Sequence, residues 1–98
     1  MIFRFHPEAD EELIEPARYY ERQSEGLGDD FLAAVEDTLR RISLFPKASR
    51  ADLKGIRRRL VEGFPYSVVY ELQSSNVIIF AIAHHSRRPG YWSGRLIN

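Results

Sequence analysis

The chain is 98 residues long, 44% hydrophobic and 29% charged, which fits one globular domain and excludes both a disordered chain and two stable domains. It has no cysteine, so disulfides and cysteine-based metal sites are excluded and a reducing cytoplasm is the expected setting. The zero formal charge hides an asymmetry: residues 1–53 carry seven Lys/Arg against twelve Asp/Glu (7 − 12 = −5), and residues 54–98 carry seven against two (7 − 2 = +5), which points to a nucleic-acid or acidic protein partner.

Ile2–Phe5 is a short apolar run that stops at His6-Pro7 and reads as a first strand. The opening residues lack the basic, apolar, small-residue progression of a signal peptide. Pro7 suits the first turn of a helix, and Glu8, Asp10, Glu11 and Glu12 crowd its positive end. Ala9, Leu13, Ala17 and Tyr20 recur at helical spacing, which predicts a helix from Pro7 to about Ser24. Pro16 inside it should cost about 3 kcal/mol and predicts a bend near Glu12–Pro16. Gly26-Leu27-Gly28 signals a turn. A second helix is expected from about Asp29 to Leu44, with Phe31, Leu32, Val35, Leu39 and Ile42 as its apolar face, Arg40 and Arg41 in its last turn, and Pro46 beyond its end. So short a turn predicts an antiparallel helical hairpin.

Lys47–Gly55 reads as a loop. Ile56–Glu62 places Arg57, Arg59 and Val61 on one side and Ile56, Arg58 and Leu60 on the other; neither side is cleanly apolar, which suits a poorly protected strand. Tyr66–Leu72 is a β-branched and aromatic strand, followed by a polar hairpin loop at Gln73–Asn76. Val77–Ala83 is apolar at every position and predicts a central strand covered on both faces; it falls far short of the roughly 20 residues that span a bilayer. Its bulkier residues Ile78, Phe80 and Ile82 are expected to face the helices and lead to His84 at the core edge. Val77, Ile79, Ala81 and Ala83 then lead to His85 on the other face. The order is β-α-α-β-β-β over a single domain, residues 1–98: an α+β fold with the hairpin packed on a small antiparallel sheet.

Three segments carry candidate chemistry. Arg57-Arg58-Arg59 can bind phosphates or carboxylates, or simply protect a strand edge. His84-His85 ends the central strand; a histidine there suits acid–base work, whereas two that point to opposite faces make a poor metal chelate, so no metal is expected. The stretch Ser86 to Arg95 holds Arg87, Arg88 and Arg95 beside Tyr91 and Trp92, a mixture suited to RNA bases or protein anchoring, although Trp92 has enough apolar area to fold back as a cap on the core. The first helix's carboxylates are explained by the dipole and solvation. No glycine-rich phosphate loop or nucleophile elbow is present, and no cofactor is expected.

Phe5-His6-Pro7-Glu8-Ala9, Tyr19-Tyr20-Glu21, Gly26-Leu27-Gly28-Asp29-Asp30-Phe31, Arg58 and Arg59 before Phe64-Pro65-Tyr66, and His84-His85-Ser86-Arg87-Arg88-Pro89-Gly90-Tyr91-Trp92 stand in order along the whole chain. In these residues the chain resembles the RelE/ParE superfamily of type II toxin–antitoxin toxins, and within it the ParE-like group once labelled plasmid stabilisation proteins. The resemblance implies the β-α-α-β-β-β fold and a cytoplasmic growth-arresting toxin, with no membrane role, silenced by a cognate antitoxin. It also implies that an antitoxin segment docks beside the helices, here near Phe31, Leu32 and Val35, or adds a strand to the sheet. ParE-like members block DNA gyrase; RelE-like members enter the ribosome and cut mRNA. The near-neutral charge, with a pI of about 6.8, and the His-His-x-Arg-x-Pro-x-Tyr-Trp tail favour the gyrase inhibitor. Its expected target-binding residues are Arg57, Arg59, Arg87, Arg88, Tyr91, Trp92 and Arg95. Under the ribonuclease alternative, the catalytic positions implied are Arg59, with Arg57 as its substitute, His85, Arg87 and Tyr91. An inactive relative acting only within an antitoxin complex is the third reading.

Overall fold

A computed structural model describes residues 1–97. Its elements are β1 (Ile2–Phe5), α1 (Pro7–Gln23), α2 (Leu27–Leu44), β2 (Ile56–Val61), β3 (Tyr66–Gln73), β4 (Asn76–His84) and a short 3-10 helix (Ser93–Ile97). The expected β-α-α-β-β-β order is therefore observed.

His6 caps α1: its backbone is extended and its Nδ1 accepts the Glu8 N–H at 3.2 Å. The helix then runs continuously through Pro16 to Gln23. α2 starts at Leu27, earlier than Asp29, for two local reasons. Gly26 takes a left-handed φ of 86°, which only glycine adopts cheaply. Glu21 on α1 accepts the N–H groups of Gly26 and Gly28 at 2.9 and 3.0 Å, so one helix satisfies the unpaired donors at the start of the next.

The strands lie in the order β1-β4-β3-β2. β2, β3 and β4 form an antiparallel meander, while β1 pairs in parallel with β4, so the sheet is mixed rather than wholly antiparallel. The hairpin supplies the long crossover that a parallel neighbour requires. The main core packs Ala9, Phe31, Val35 and Ile42 of the helices against Val61, Val68, Tyr70, Val77, Ile79 and Ile82 of the sheet. A second cluster on the opposite face joins Ile56, Val69, Phe80 and Ala81 to Trp92.

The assignment of faces along β4 differs from the simple alternation. Ile79 pairs with Tyr70 and Ala81 pairs with Val69, leaving Phe80 as an extra, bulged residue. A bulge shifts the alternation by one position. Val77 and Ile79 consequently face the helices, Ile78 and Phe80 face the other side, and from Ala81 onward the expected phase returns.

The hairpin depends on close approach at Gly28. A methyl group there would overlap the Ala17 carbonyl oxygen and crowd the Glu21 side chain. Gly28→Ala is expected to cost about 1–3 kcal/mol, read as a lowered urea midpoint with an unchanged slope; an unaltered midpoint would show that the helices separate without penalty.

Candidate functional site

The geometry of the tail is set where β1 ends. The chain leaves β1 at Pro7, and the last β1–β4 rung is the His6 N–H donated to the Ile79 carbonyl at 2.9 Å. Beyond it β4 needs other partners along that edge. The Ile82 N–H donates to Glu12 Oε1 at 3.1 Å, and the Phe80 carbonyl accepts Arg95 Nη1 at 2.8 Å. Glu12 and Arg95 also meet each other in a fork, Nη1 to Oε1 at 2.8 Å and Nη2 to Oε2 at 2.9 Å. The Tyr91 hydroxyl donates to Glu12 Oε2 at 2.7 Å, and Glu8 adds a longer contact to Arg95 at 3.4 Å. The hydrogen bond to Glu12 outweighs burial and raises the Arg95 pKa above its usual value. Burial first, then the bond to Glu12, pushes the Tyr91 phenol well above the usual tyrosine range.

This clamp corrects two expectations. Arg95 is only 8% exposed and its guanidinium is already engaged, so it is no surface ligand for a target. Trp92 is 5% exposed within the second core cluster, the cap that its apolar area had suggested. Glu12 itself is more than a solvated dipole partner. It sits one turn after Ala9 on the flank of the inward face, and that position was the available signal.

Beside the clamp lies a cleft of about 370 Å³. Glu8, Glu11 and Glu15 line it from α1; Tyr66, His84 and Arg87 line it from the strand end. His84 is the expected core-edge histidine: its ring meets Tyr66 edge-on at 4.9 Å, and its Nδ1 accepts the Ser86 N–H at 2.9 Å. The Arg87 guanidinium lies 3.8 Å over the Tyr91 ring.

His85 is on the opposite face, where its Nε2 lies 3.0 Å from Ser67 Oγ. Arg58, Arg87, Arg88 and Tyr91 line the same pocket, with Arg58 5.6 Å above the Trp92 ring. Arg57 and Arg59 do not join them. They pair with Tyr70 and Val68 and so face the helices, where Arg57 donates to the Ser49 carbonyl and Arg59 Nη1 is shielded without a partner among the described residues. Of the three expected antitoxin contacts, Phe31 and Val35 are buried in the main core; only Leu32, 39% exposed, reaches the surface. It lines an outer groove between the helices with Leu13, Ile14 and Ala17. Sequence reasoning held Arg58 within the candidate Arg57–Arg59 run but left it out of the expected target-binding set, and it did not select Ser67 or Ile14, because their significance comes from cross-strand and interhelical neighbours.

A family model described as the ParE toxin of the type II toxin–antitoxin system parDE matches residues 3–89. The chain belongs to the ParE toxin family. Among solved structures, one of a chromosomal ParDE toxin–antitoxin system from P. aeruginosa is similar to this ParE-family chain. That likeness has 17% identity and a TM-score of 0.60, over 86% of this chain and 95% of the other, and it supports the fold alone. No curated protein matches the chain.

For this ParE-family chain the clamp makes two predictions. Glu12→Gln leaves the buried Arg95 charge without its main partner and is expected to cost about 3–5 kcal/mol, measured by urea denaturation; a loss below about 1 kcal/mol would mean that Arg95 is solvated. Tyr91→Phe is expected to cost about 1 kcal/mol at neutral pH. The folded-state pKa of this phenol is raised, so its contribution is complete below the unfolded value of about 10 and is lost as pH rises through the folded value. The gap between wild type and Tyr91→Phe should therefore narrow at strongly alkaline pH; a constant gap would contradict the assignment.

Proposed function

We propose that this ParE-family toxin arrests growth in the cytoplasm by inhibiting DNA gyrase without performing chemistry, and that a cognate antitoxin neutralises it. The observation that supports this reading is that the groups mRNA cleavage would need are not free to act together, although His85, Arg87 and Tyr91 border one pocket. Arg59 lies on the helix face of β2, His85 is bonded to Ser67 on the opposite face, and the Tyr91 hydroxyl is donated to Glu12. A phenol with so raised a pKa keeps its proton at neutral pH and is a poor general acid or base. Inhibition by binding makes no such demand on convergence. Arg87 and Arg88 are the exposed residues of the tail that this reading assigns to the target.

For the antitoxin, the reading assigns the outer groove between α1 and α2. Ile14 is 47% and Leu32 39% exposed there, with Arg18, Glu21 and Asp29 at the rim. An apolar stripe bordered by both signs of charge suits one amphipathic helix from a partner.

Two measurements test the proposal. On induction of the chain alone in a bacterial host, thymidine incorporation is expected to fall before methionine incorporation, and the purified chain is expected to inhibit supercoiling by gyrase. An earlier fall in protein synthesis, with intact supercoiling, would transfer the assignment to the ribosome. Leu32→Asp is expected to weaken antitoxin binding by roughly tenfold or more while growth arrest and thermal stability persist; unchanged affinity would place the antitoxin elsewhere.

A further inference from the structure

On the sheet face away from the helices, two adjoining pockets share Arg58, Pro89, Gly90 and Trp92. The first, about 140 Å³, is cationic: beside Arg87, which is laid over the Tyr91 ring, Arg58 and Arg88 reach it, and Ser67 and His85 form its hydrogen-bonding wall. Neither arginine forms a salt bridge among the described residues, unlike Arg18, Arg40, Arg41 and Arg95. The second, about 450 Å³, is bordered by Leu53, Leu96 and the Trp92 ring. Leu53 is fully exposed at its rim, an apolar side chain with no role in the core. Asp52 lies in the same pocket, and its carboxylate accepts the N–H groups of Ile56 and Lys54, which hold its pKa below the usual range.

We infer that this double pocket binds a nucleoside monophosphate, with the phosphoryl group between Arg58, Arg88 and the Ser67–His85 pair and the flat base against Leu53 and Leu96. The chemistry follows from the compartments. Unpaired guanidinium groups beside hydroxyl and imidazole donors suit a phosphoryl dianion. The neighbouring apolar floor suits a ring with low polarity on its faces and polar atoms at its edge, where ionised Asp52 can accept a hydrogen bond. A long polyanion fits less well. Asp52 sits inside the groove, and the carboxylates of α1 line the cleft on the other side of Arg87 and Tyr91. The inference goes beyond growth arrest and does not depend on the identity of the target.

Trp92 is the single tryptophan and borders both compartments, so its fluorescence reports occupancy. Titration of the full chain with AMP is expected to give a saturable change at millimolar concentrations or below, with inorganic phosphate weaker and adenosine weaker still. Arg88→Ala and Ser67→Ala are each expected to weaken AMP binding roughly tenfold. Arg40→Ala, on the far side of α2, should leave it unchanged, and thermal melts of each variant would confirm that it is folded. Three results would overturn the inference: no saturable change with AMP, equal affinity in the Arg88 and Ser67 variants, or tighter binding of a single-stranded oligonucleotide without a terminal phosphate. The last would assign the arginines to a polymer backbone. Gyrase and growth do not enter these readouts, so failure here leaves the toxin reading intact.

Discussion

The carboxylate of Glu12 is the point at which α1, β4 and the tail are tied together. β4 extends past β1, and an uncovered strand edge must find partners for its N–H and carbonyl groups. Glu12 takes the Ile82 N–H and Arg95 takes the Phe80 carbonyl, and the two side chains then bind each other. The Phe80 bulge belongs to the same arrangement, since it sits where the edge changes from strand partners to side-chain partners. Removing one charge of such a pair is far more costly than never having had either. The pair therefore acts mainly by selection: it admits one path for the tail and penalises the others.

That path determines what the surface offers. Once Arg95 is held against α1, Trp92 is brought down on Ile56, Val69, Phe80 and Ala81, and the second face of the sheet becomes a core instead of an open apolar patch. Tyr91 is held by Glu12, and Arg87 is laid over its ring. Arg88, His85 and Arg58 are left around the pocket that results. The tail is thus structural at its aromatic residues and its last arginine, and available for binding at the arginines that precede them.

The local chemistry of the chain was legible in the sequence. Pro7 and the acidic first turn, the Gly26 turn, the arginines before Pro46 and the unbroken apolar run of β4 report short-range preferences, and each leads to the observed element. Features that depend on pairing were not legible. Strict alternation placed Ile78 and Phe80 toward the helices because a bulge arises from two strands together and leaves no mark on one. Phe31, Leu32 and Val35 are close on the helix surface, yet a small rotation decides that two enter the core and one faces the groove. The composition of the tail was legible, but its division was not, since nothing local distinguishes Arg95 from Arg88. The difference is made by Glu12, far away in the sequence.

The partners already held by each side chain limit what is left for a ligand. An ionised carboxylate offers about four acceptor sites, and those of Glu12 are taken by Ile82, Tyr91 and both terminal nitrogens of Arg95. A ligand cannot engage Glu12 without opening the fold, so the cleft beside it offers its outer carboxylates with Tyr66, His84 and Arg87. Across the sheet Arg58 and Arg88 have no salt bridge among the described residues, although Arg58 also lies over the Trp92 ring, and a serine–histidine pair stands next to them. The helical half presents an apolar groove between α1 and α2, and the sheet half presents arginines without a salt bridge among the described residues. The proposed antitoxin groove and the proposed anion pocket therefore lie on opposite faces, with the Glu12–Arg95 pair tying α1 to the tail between them.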